Sequence, residues 1–431
     1  METQTSIFTG RSVNENPAHN NRVIVHADFN SFFARVEQQC NPNIRSRPVG
    51  IIKSAGRGCV IAASPEAKRL GVGTGSDVVT ARGKIGDITF VPADFDKYFD
   101  ITKRFIKIAS RYTDKLEVFS LDEVFMDVTD TEKLWGNVFE LINCFKDDLK
   151  KEIGEIVTVS VGIASNRRMA KLAGEYAGTD GIFWIGEENR IEILDRTPLT
   201  TILGIGHRME KRLRVLGITD FVMLREKSID YLVYWFGPFW SRHLYNLARG
   251  IDNTKIVTAK EWVRPKSVSR TFTRYTNANT SWEKRQTLRN LCDEVGEKLR
   301  KMNLRARRVG LSVRGKEING WGQERLGFYG TSDGRDIFVV TSNILEGLEI
   351  KDEPLRFFGV FVTDIFENCA LTLPIFEKDR KRLDILEAVD KINETYGSLT
   401  VFSGNLVGNE LISPEVNGYL GDRYYLFKTK G

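Results

Sequence analysis

The stretch HADFNSFFARVE, residues 26–37, places an aspartate at the end of an apolar run (RVIVHA, 22–27) and two phenylalanines shortly after it. The run reads as a short buried strand that delivers Asp28 to a strand end. Residues 30–39 then take up helical spacing, with Phe32, Phe33 and Val36 available to one side. Farther along, FSLDEVFMDV (119–128) sets Asp122 and Glu123 side by side, in a segment that reads as two strands joined at Ser120–Asp122. If those strands are neighbours in one sheet, the three acids converge at its edge. Three such charges repel one another unless cations lie between them. An all-oxygen ligand set suits Mg2+ or Mn2+ rather than zinc. It can hold two ions roughly 3.5–4 Å apart, the arrangement that activates an attacking oxygen and steadies a leaving one in phosphoryl transfer. With only four histidines in the chain, metals rather than imidazoles would do this work. Acids at strand ends also serve as caps or solvated turn residues, so the spacing alone leaves both readings open.

The chain has 431 residues, too many for one ordinary core, and two to four domains are expected. No apolar run is long enough to span a membrane. The polar start, METQTSIFTGRSVNENPAHNN, lacks the layout of a signal peptide and reads as a flexible leader, 1–21. Five scattered cysteines, none in a C-x-x-C pair, argue against a disulfide framework and for a reducing cytoplasm.

Strands are expected near 48–53, 58–62 and 156–165, with helices over 65–70, 94–113 and 134–152. Two strand–helix–strand passes of this kind make an α+β layer with helices covering one sheet face. Residues 190–250 look all-helical, 251–264 form a linker, and 265–366 return to mixed strands and helices. Lys171, in SNRRMAKLAGEYA, lies on a helix just after the strand 156–163, where a cation could reach triphosphate oxygens or simply face solvent. Of Phe32 and Phe33, one ring could be core while the other walls the sugar of a bound nucleotide, leaving no room for a 2′-hydroxyl. In LGIGHRMEKRLRVLGI (203–218) a Gly-x-Gly turn joins two short helices, so that Gly204 and Gly206 offer backbone N–H groups at a helix N-terminus, a place suited to phosphate.

Taken in order, HADFNSFFARVE, GCVIAASPEAKRLGV, FSLDEVFMDV, VSVGIASNRRMAKLAGEYAGTDGI, LGIGHRMEKRLRVLGI, LARGID and KSVSRTF resemble the Y-family translesion DNA polymerases over about residues 22–397. The palm and thumb segments look like the bacterial polymerase IV branch, whereas GCVIAASPEAKRLGV and Asn30 lean toward the catalytic subunit of polymerase V. The resemblance implies an α+β right hand: a ferredoxin-like palm (22–31 and 98–180), small fingers (32–97), a helical thumb with a helix-hairpin-helix (181–250), and a tethered α/β little finger (265–366). A C-terminal tail (367–431) would follow. It implies that Asp28 and Asp122 bind two Mg2+ ions, for which Mn2+ can substitute, with help from the Phe29 carbonyl. Glu123 would hold the ion that activates the primer 3′-hydroxyl. Phe33 falls at the steric-gate position, and Lys68 and Lys171 fall where the family places cations on the triphosphate. Lys68 replaces an arginine, and Pro65 stands where many members carry a tyrosine that also touches the triphosphate. The implied partners are primer-template DNA and deoxynucleoside triphosphates.

Residues 264–316 carry fifteen Lys or Arg against four Asp or Glu, so with a net charge of +6 the rest of the chain is negative. Such a segment points to a polyanion partner, although a solvated helix face has the same composition. Within the resemblance, Arg264, Lys266, Arg270, Arg274, Arg307, Arg308 and Arg314 would face duplex DNA. Neutralising about six to eight phosphates would give a log K against log salt slope of roughly −5 to −7. Thr372, Leu373, Pro374, Ile375 and Phe376 would occupy the place of a sliding-clamp motif, with threonine in place of its glutamine. Two other readings remain: a catalytically idle DNA-binding repair scaffold, which has no use for three clustered acids, and a nucleotidyl cyclase, which has none for the hairpin and the basic segment.

Overall fold

A computed structural model describes residues 22–53, 58–258, 265–327, 329–350, 352–368, 377–407 and 411–412. The chain divides into two compact units, Met1–Trp262 and Val263–Gly431. The leader 1–21, Arg264 and the segment 372–376 lie outside the described residues.

In the first unit the apolar run forms strand β1, Ile24–Phe29. It extends two residues farther than its apolar pattern suggests, so Asp28 lies within the strand and not after it. The chain then builds a separate three-stranded sheet from β2 (Val49–Ile52), β3 (Val60–Ala63) and β4 (Thr89–Pro92), in the order β3-β2-β4. It returns through the helix Phe95–Ala109 to β5 (Leu116–Val118) and β6 (Glu123–Asp127). The helix Val138–Glu152, β7 (Val159–Ala164), the helix Arg167–Tyr176 and β8 (Ile182–Ile185) complete the main sheet, ordered β5-β6-β1-β7-β8. β1 is central and antiparallel to both neighbours, and its register sets Asp28 opposite Glu123 on one side and Ser160 on the other.

Both faces of this sheet are covered, which corrects the one-faced layer expected. On one face Phe29 meets Phe105 of Phe95–Ala109 at 4.3 Å between ring centroids, and Phe105 packs on Phe145 of Val138–Glu152. Residues two apart on a strand share a face, so Ile24, His26 and Asp28 look the other way, toward Arg167–Tyr176. Gly162, opposite His26, admits that helix: a Cβ there would lie 2.1 Å from the Ala170 carbonyl. The near-continuous burial of β1 follows from being sandwiched.

Residues 190–250 are helical as expected. Leu194, Leu213, Phe221, Leu224, Leu244 and Leu247 form a core that continues onto Met169 and Ala173 of Arg167–Tyr176. The second unit is one antiparallel sheet, β11-β10-β12-β9, from β9 (Ser267–Ala278), β10 (Leu304–Arg314), β11 (Asn319–Arg325) and β12 (Leu355–Glu367). The helices Ser281–Lys301 and Gly334–Gly347 cover one face. Leu288, Leu291, Val295 and Leu299 meet Val309, Leu311, Phe358 and Val360 there. Ser281–Lys301 begins at a capping box, in which Thr280 and Glu283 satisfy each other's backbone N–H. A further helix, Glu377–Tyr396, is held to this unit by Arg300 with Asp390 (2.5 Å) and by Arg382 with Asp333 and Asp336 (2.5 and 2.7 Å).

Candidate active site

The pairing of β1 with β6 sets the Asp28 and Glu123 carboxylates on one sheet face, and the turn before β6 carries Asp122. The Phe29 N–H donates to the Asp122 carbonyl at 3.0 Å, which fastens that turn to the end of β1. Ligand atoms of Asp28, Glu123 and His26 all lie within 4.8 Å of one another. Asp122 stands outside that tight group; its carboxylate accepts from the Ser120 hydroxyl at 2.5 Å and still repels Asp28.

The electrostatics of the three acids differ. Burial, then the charges of Asp122 and Glu123, push the Asp28 carboxyl up to about 8. Burial also raises Asp122. At Glu123 burial works upward too, but a hydrogen bond from His26 and the Lys171 ammonium outweigh it and hold the carboxyl below its usual range. Lys171 therefore rests on Glu123 Oε2 and is not free to face a triphosphate in this state. Among the described residues, no hydrogen bond steadies the Asp28 carboxylate. A half-buried acid beside two others, without a cation paired to it, is the environment that hard divalent ions relieve. The residues present fit Mg2+ or Mn2+.

Beside the acids, the two phenylalanines part company. Phe32 is 3% exposed and stacks on Phe29 at 5.0 Å, so it is core. Phe33 is half-buried, stacked on Tyr98 at 4.3 Å and edge-on to Phe95 at 5.7 Å. Tyr98 is fixed in turn, since its hydroxyl donates to Glu37 at 2.9 Å and Lys97 pairs with the same carboxylate at 2.9 Å. Lys68 is exposed on the short helix Pro65–Arg69. Asn30 ties the end of β1 to two segments: it donates to the Ser160 hydroxyl (2.6 Å) and accepts from Thr158 and from the Asp180 N–H (2.9 Å each).

The sequence matches the impB/mucB/samB family over residues 27–175 and that family's C-terminal domain over 265–372. It is 30% identical over 400 residues to a DNA polymerase IV of Acetivibrio thermocellus, covering 90% of this chain and 98% of that one. It is 34% identical over 293 residues to a DNA polymerase IV of Gluconobacter oxydans, covering 68% and 81%. The chain belongs to the Y family of DNA polymerases. The fold is also that of a solved Y-family DNA polymerase chimera, Dbh-Dpo4(243-245)-Dbh, at a TM-score of 0.70 and 24% identity, covering 80% of this chain and all of the other.

For a Y-family polymerase the expected DNA-contacting residues fare unevenly. Gly204 has φ of +117°, and a Cβ on it would meet His243 Nε2 at 2.6 Å, so glycine is required there. Gly206 is the N-cap of the helix His207–Val215, with open space where its side chain would be. Arg270 is a correction. It sits on the helix-covered face of β9, 2% exposed, with Nε 2.5 Å from Glu294. Arg274, also on that face, donates to the Thr287 hydroxyl at 2.8 Å. Alternation decides both, because even-numbered residues of this part of β9 face the helices. Arg308 and Arg314 share the open face of β10, are exposed, and Arg314 lies over the Phe357 ring at 4.8 Å. Arg307 lies over Phe366 at 4.0 Å, and Lys266 is exposed.

Three contributors were not anticipated from sequence: His26, Tyr98 and Glu37. His26 sets one of the chain's four histidines directly beside the acids. Its signal was available, since it stands two residues before Asp28 and must share that face.

Proposed function

We propose that this Y-family polymerase is a template-directed enzyme of low fidelity that extends a primer 3′-end with deoxynucleotides and continues past damaged template bases. The observation that carries the reading is the meeting of Asp28 and Glu123 across adjacent strands, with Asp122 on the turn between. When bound, two Mg2+ ions would lower the pKa of the attacking 3′-hydroxyl and neutralise charge on the triphosphate. Asp28 and Asp122 would hold the ions, helped by the Phe29 carbonyl, and Glu123 would hold the one beside the primer. The Phe33 ring, braced by Tyr98, takes the space of a 2′-hydroxyl. Lys68 neutralises triphosphate oxygens, and Lys171 joins it by exchanging Glu123 for phosphate.

The palm, fingers, thumb and little finger are assigned at the boundaries given above. Gly204 and Gly206 grip a backbone phosphate, while Lys266, Arg308 and Arg314 contribute positive charge toward the duplex. Small residues in the fingers (Gly58, Cys59, Ala62, Ala63) fit a site tolerant of damaged bases. Residues 372–376 are assigned to a sliding clamp, so Phe376→Ala should abolish stimulation by added clamp. Among the described residues, no helix is long and apolar enough to cross a membrane. The scattered cysteines favour a cytoplasmic enzyme.

Primer extension with Mg2+ on undamaged and abasic templates tests the reading. Extension of both by the wild type and of neither by Asp122→Ala is expected. Tight DNA binding without extension would make the chain a scaffold instead.

A further inference from the structure

His26 has no part in the chemistry above, yet it is 2% exposed on the same face of β1 as Asp28, with its ring 4.7 Å from that of Phe125. Its Nε2 lies 3.2 Å from Glu123 Oε2. Two roles compete for an imidazole at this place: a third ligand to a cation, or a donor to a ligand. The partner decides between them. An ionised carboxylate offers only lone pairs, so the Nε2–Oε2 bond requires the hydrogen on Nε2. A nitrogen carrying hydrogen has no lone pair to give a metal. The lone pair then belongs to Nδ1, which has no hydrogen-bond partner and lies against the helix Arg167–Tyr176, 3.0 Å from where a Cβ on Gly174 would stand. Lys171 donates to the same Oε2.

We propose that His26 is a positioning residue for the metal centre: with Lys171 it occupies Oε2 of Glu123, so that the carboxylate presents Oε1 alone to the cation. The proposal rests on the reading of Asp28 and Glu123 as metal ligands. A carboxylate restricted to one oxygen suits the small octahedral shell of Mg2+ and disfavours the bidentate binding that Ca2+ readily accepts. When a triphosphate draws Lys171 away, His26 keeps Oε2 occupied, because its ring is held on a buried strand. Without His26, Glu123 would compete with the triphosphate for Lys171.

The test compares His26→Phe, which keeps an aromatic ring against Phe125 but removes the donor, with His26→Gln, which restores one. Mn2+ binding to the full chain in the presence of a non-hydrolysable deoxynucleoside triphosphate is followed by electron paramagnetic resonance, and folding by circular dichroism. His26→Phe is expected to weaken Mn2+ binding by about tenfold or more, and His26→Gln to recover most of that loss. Unchanged binding in a folded His26→Phe would overturn the proposal. Asp28→Ala in the same assay separates the two readings. If it too leaves Mn2+ binding intact, the metal site falls and the positioning role of His26 with it; if only His26→Phe does, the positioning role alone falls. Should His26→Phe not fold, wild-type chain labelled with 15N-histidine decides. No directly bonded nitrogen coupling to Mn2+ is expected, and its presence would make His26 a ligand.

Discussion

The main sheet of the first unit and the sheet of the second handle charge in opposite ways. In the first unit Asp28, Asp122 and Glu123 crowd one end of a sheet, and the nearest ammonium, Lys171, pairs with Glu123 and only partly offsets the other two. The crowding is left as a demand for something the chain does not contain. In the second unit an equally lopsided stretch is largely neutralised from within: Arg270 by Glu294, Arg289 by Asp293 at 2.9 Å, and Arg300 by Asp390 at 2.5 Å. Poorly relieved like charge is what singles out the proposed chemical site, whereas several basic residues of the second unit are engaged in holding its fold. Charge counting alone cannot separate these cases, because the difference lies in which partner each side chain meets.

The contrast can be broken most sharply at Asp28. Asp28→Asn should reduce primer extension on the order of 10³-fold or more. In metal-free buffer it should raise the melting temperature by about 2–4 °C, on the order of 1 kcal/mol for a unit of this size, because it removes a carboxyl that the fold must hold protonated against its ordinary tendency to ionise. A lower melting temperature would mean that the acids stabilise the fold. The reverse pattern is expected in the second unit. Arg270→Ala should cost about 3 kcal/mol in urea unfolding, since it takes the nearest cation from the buried Glu294 carboxylate and leaves Lys298 farther off at 3.7 Å, while the salt dependence of DNA binding stays as in the wild type. A shallower slope at full stability would return Arg270 to the DNA surface.

Phe33→Ala should cost about 1 kcal/mol of stability, as loss of a half-buried ring stacked on Tyr98 does, and raise ribonucleotide incorporation, relative to deoxyribonucleotide, by roughly 10–200-fold. Unaltered sugar discrimination would remove the gate. The smallest effect belongs to the exposed arginines. Arg308→Ala and Arg314→Ala should each weaken DNA binding a few-fold and reduce the salt slope by about one. With Arg270 and Arg274 engaged elsewhere, the wild-type slope should also be shallower than the −5 to −7 reckoned from charge alone.

Much of the main sheet was legible in sequence because β1, β6 and β7 are buried runs bounded by turns, and because the acids sit at fixed places on them. Which of Phe32 and Phe33 is core was visible only as a choice; burial of Phe32 against Phe29 makes it. Other features were hidden for physical reasons. β11, NGWGQER, is polar and glycine-rich, so it shows no alternation, and β4 is four residues ending in proline. The second covered face of the main sheet depends on Gly162, whose lack of a side chain matters only once Arg167–Tyr176 is in place. The burial of Arg270 depends on strand parity, which a count of basic residues ignores, and the Glu37–Tyr98 brace joins residues 61 positions apart.

The most direct check is an anomalous difference map from crystals of the full chain grown with Mn2+, primer-template DNA and a non-hydrolysable deoxynucleoside triphosphate. Two Mn2+ peaks are expected, both touching Asp28 and Asp122 and one of them touching a single oxygen of Glu123. Mn2+ bound elsewhere, or no peak among these three side chains, would contradict the account.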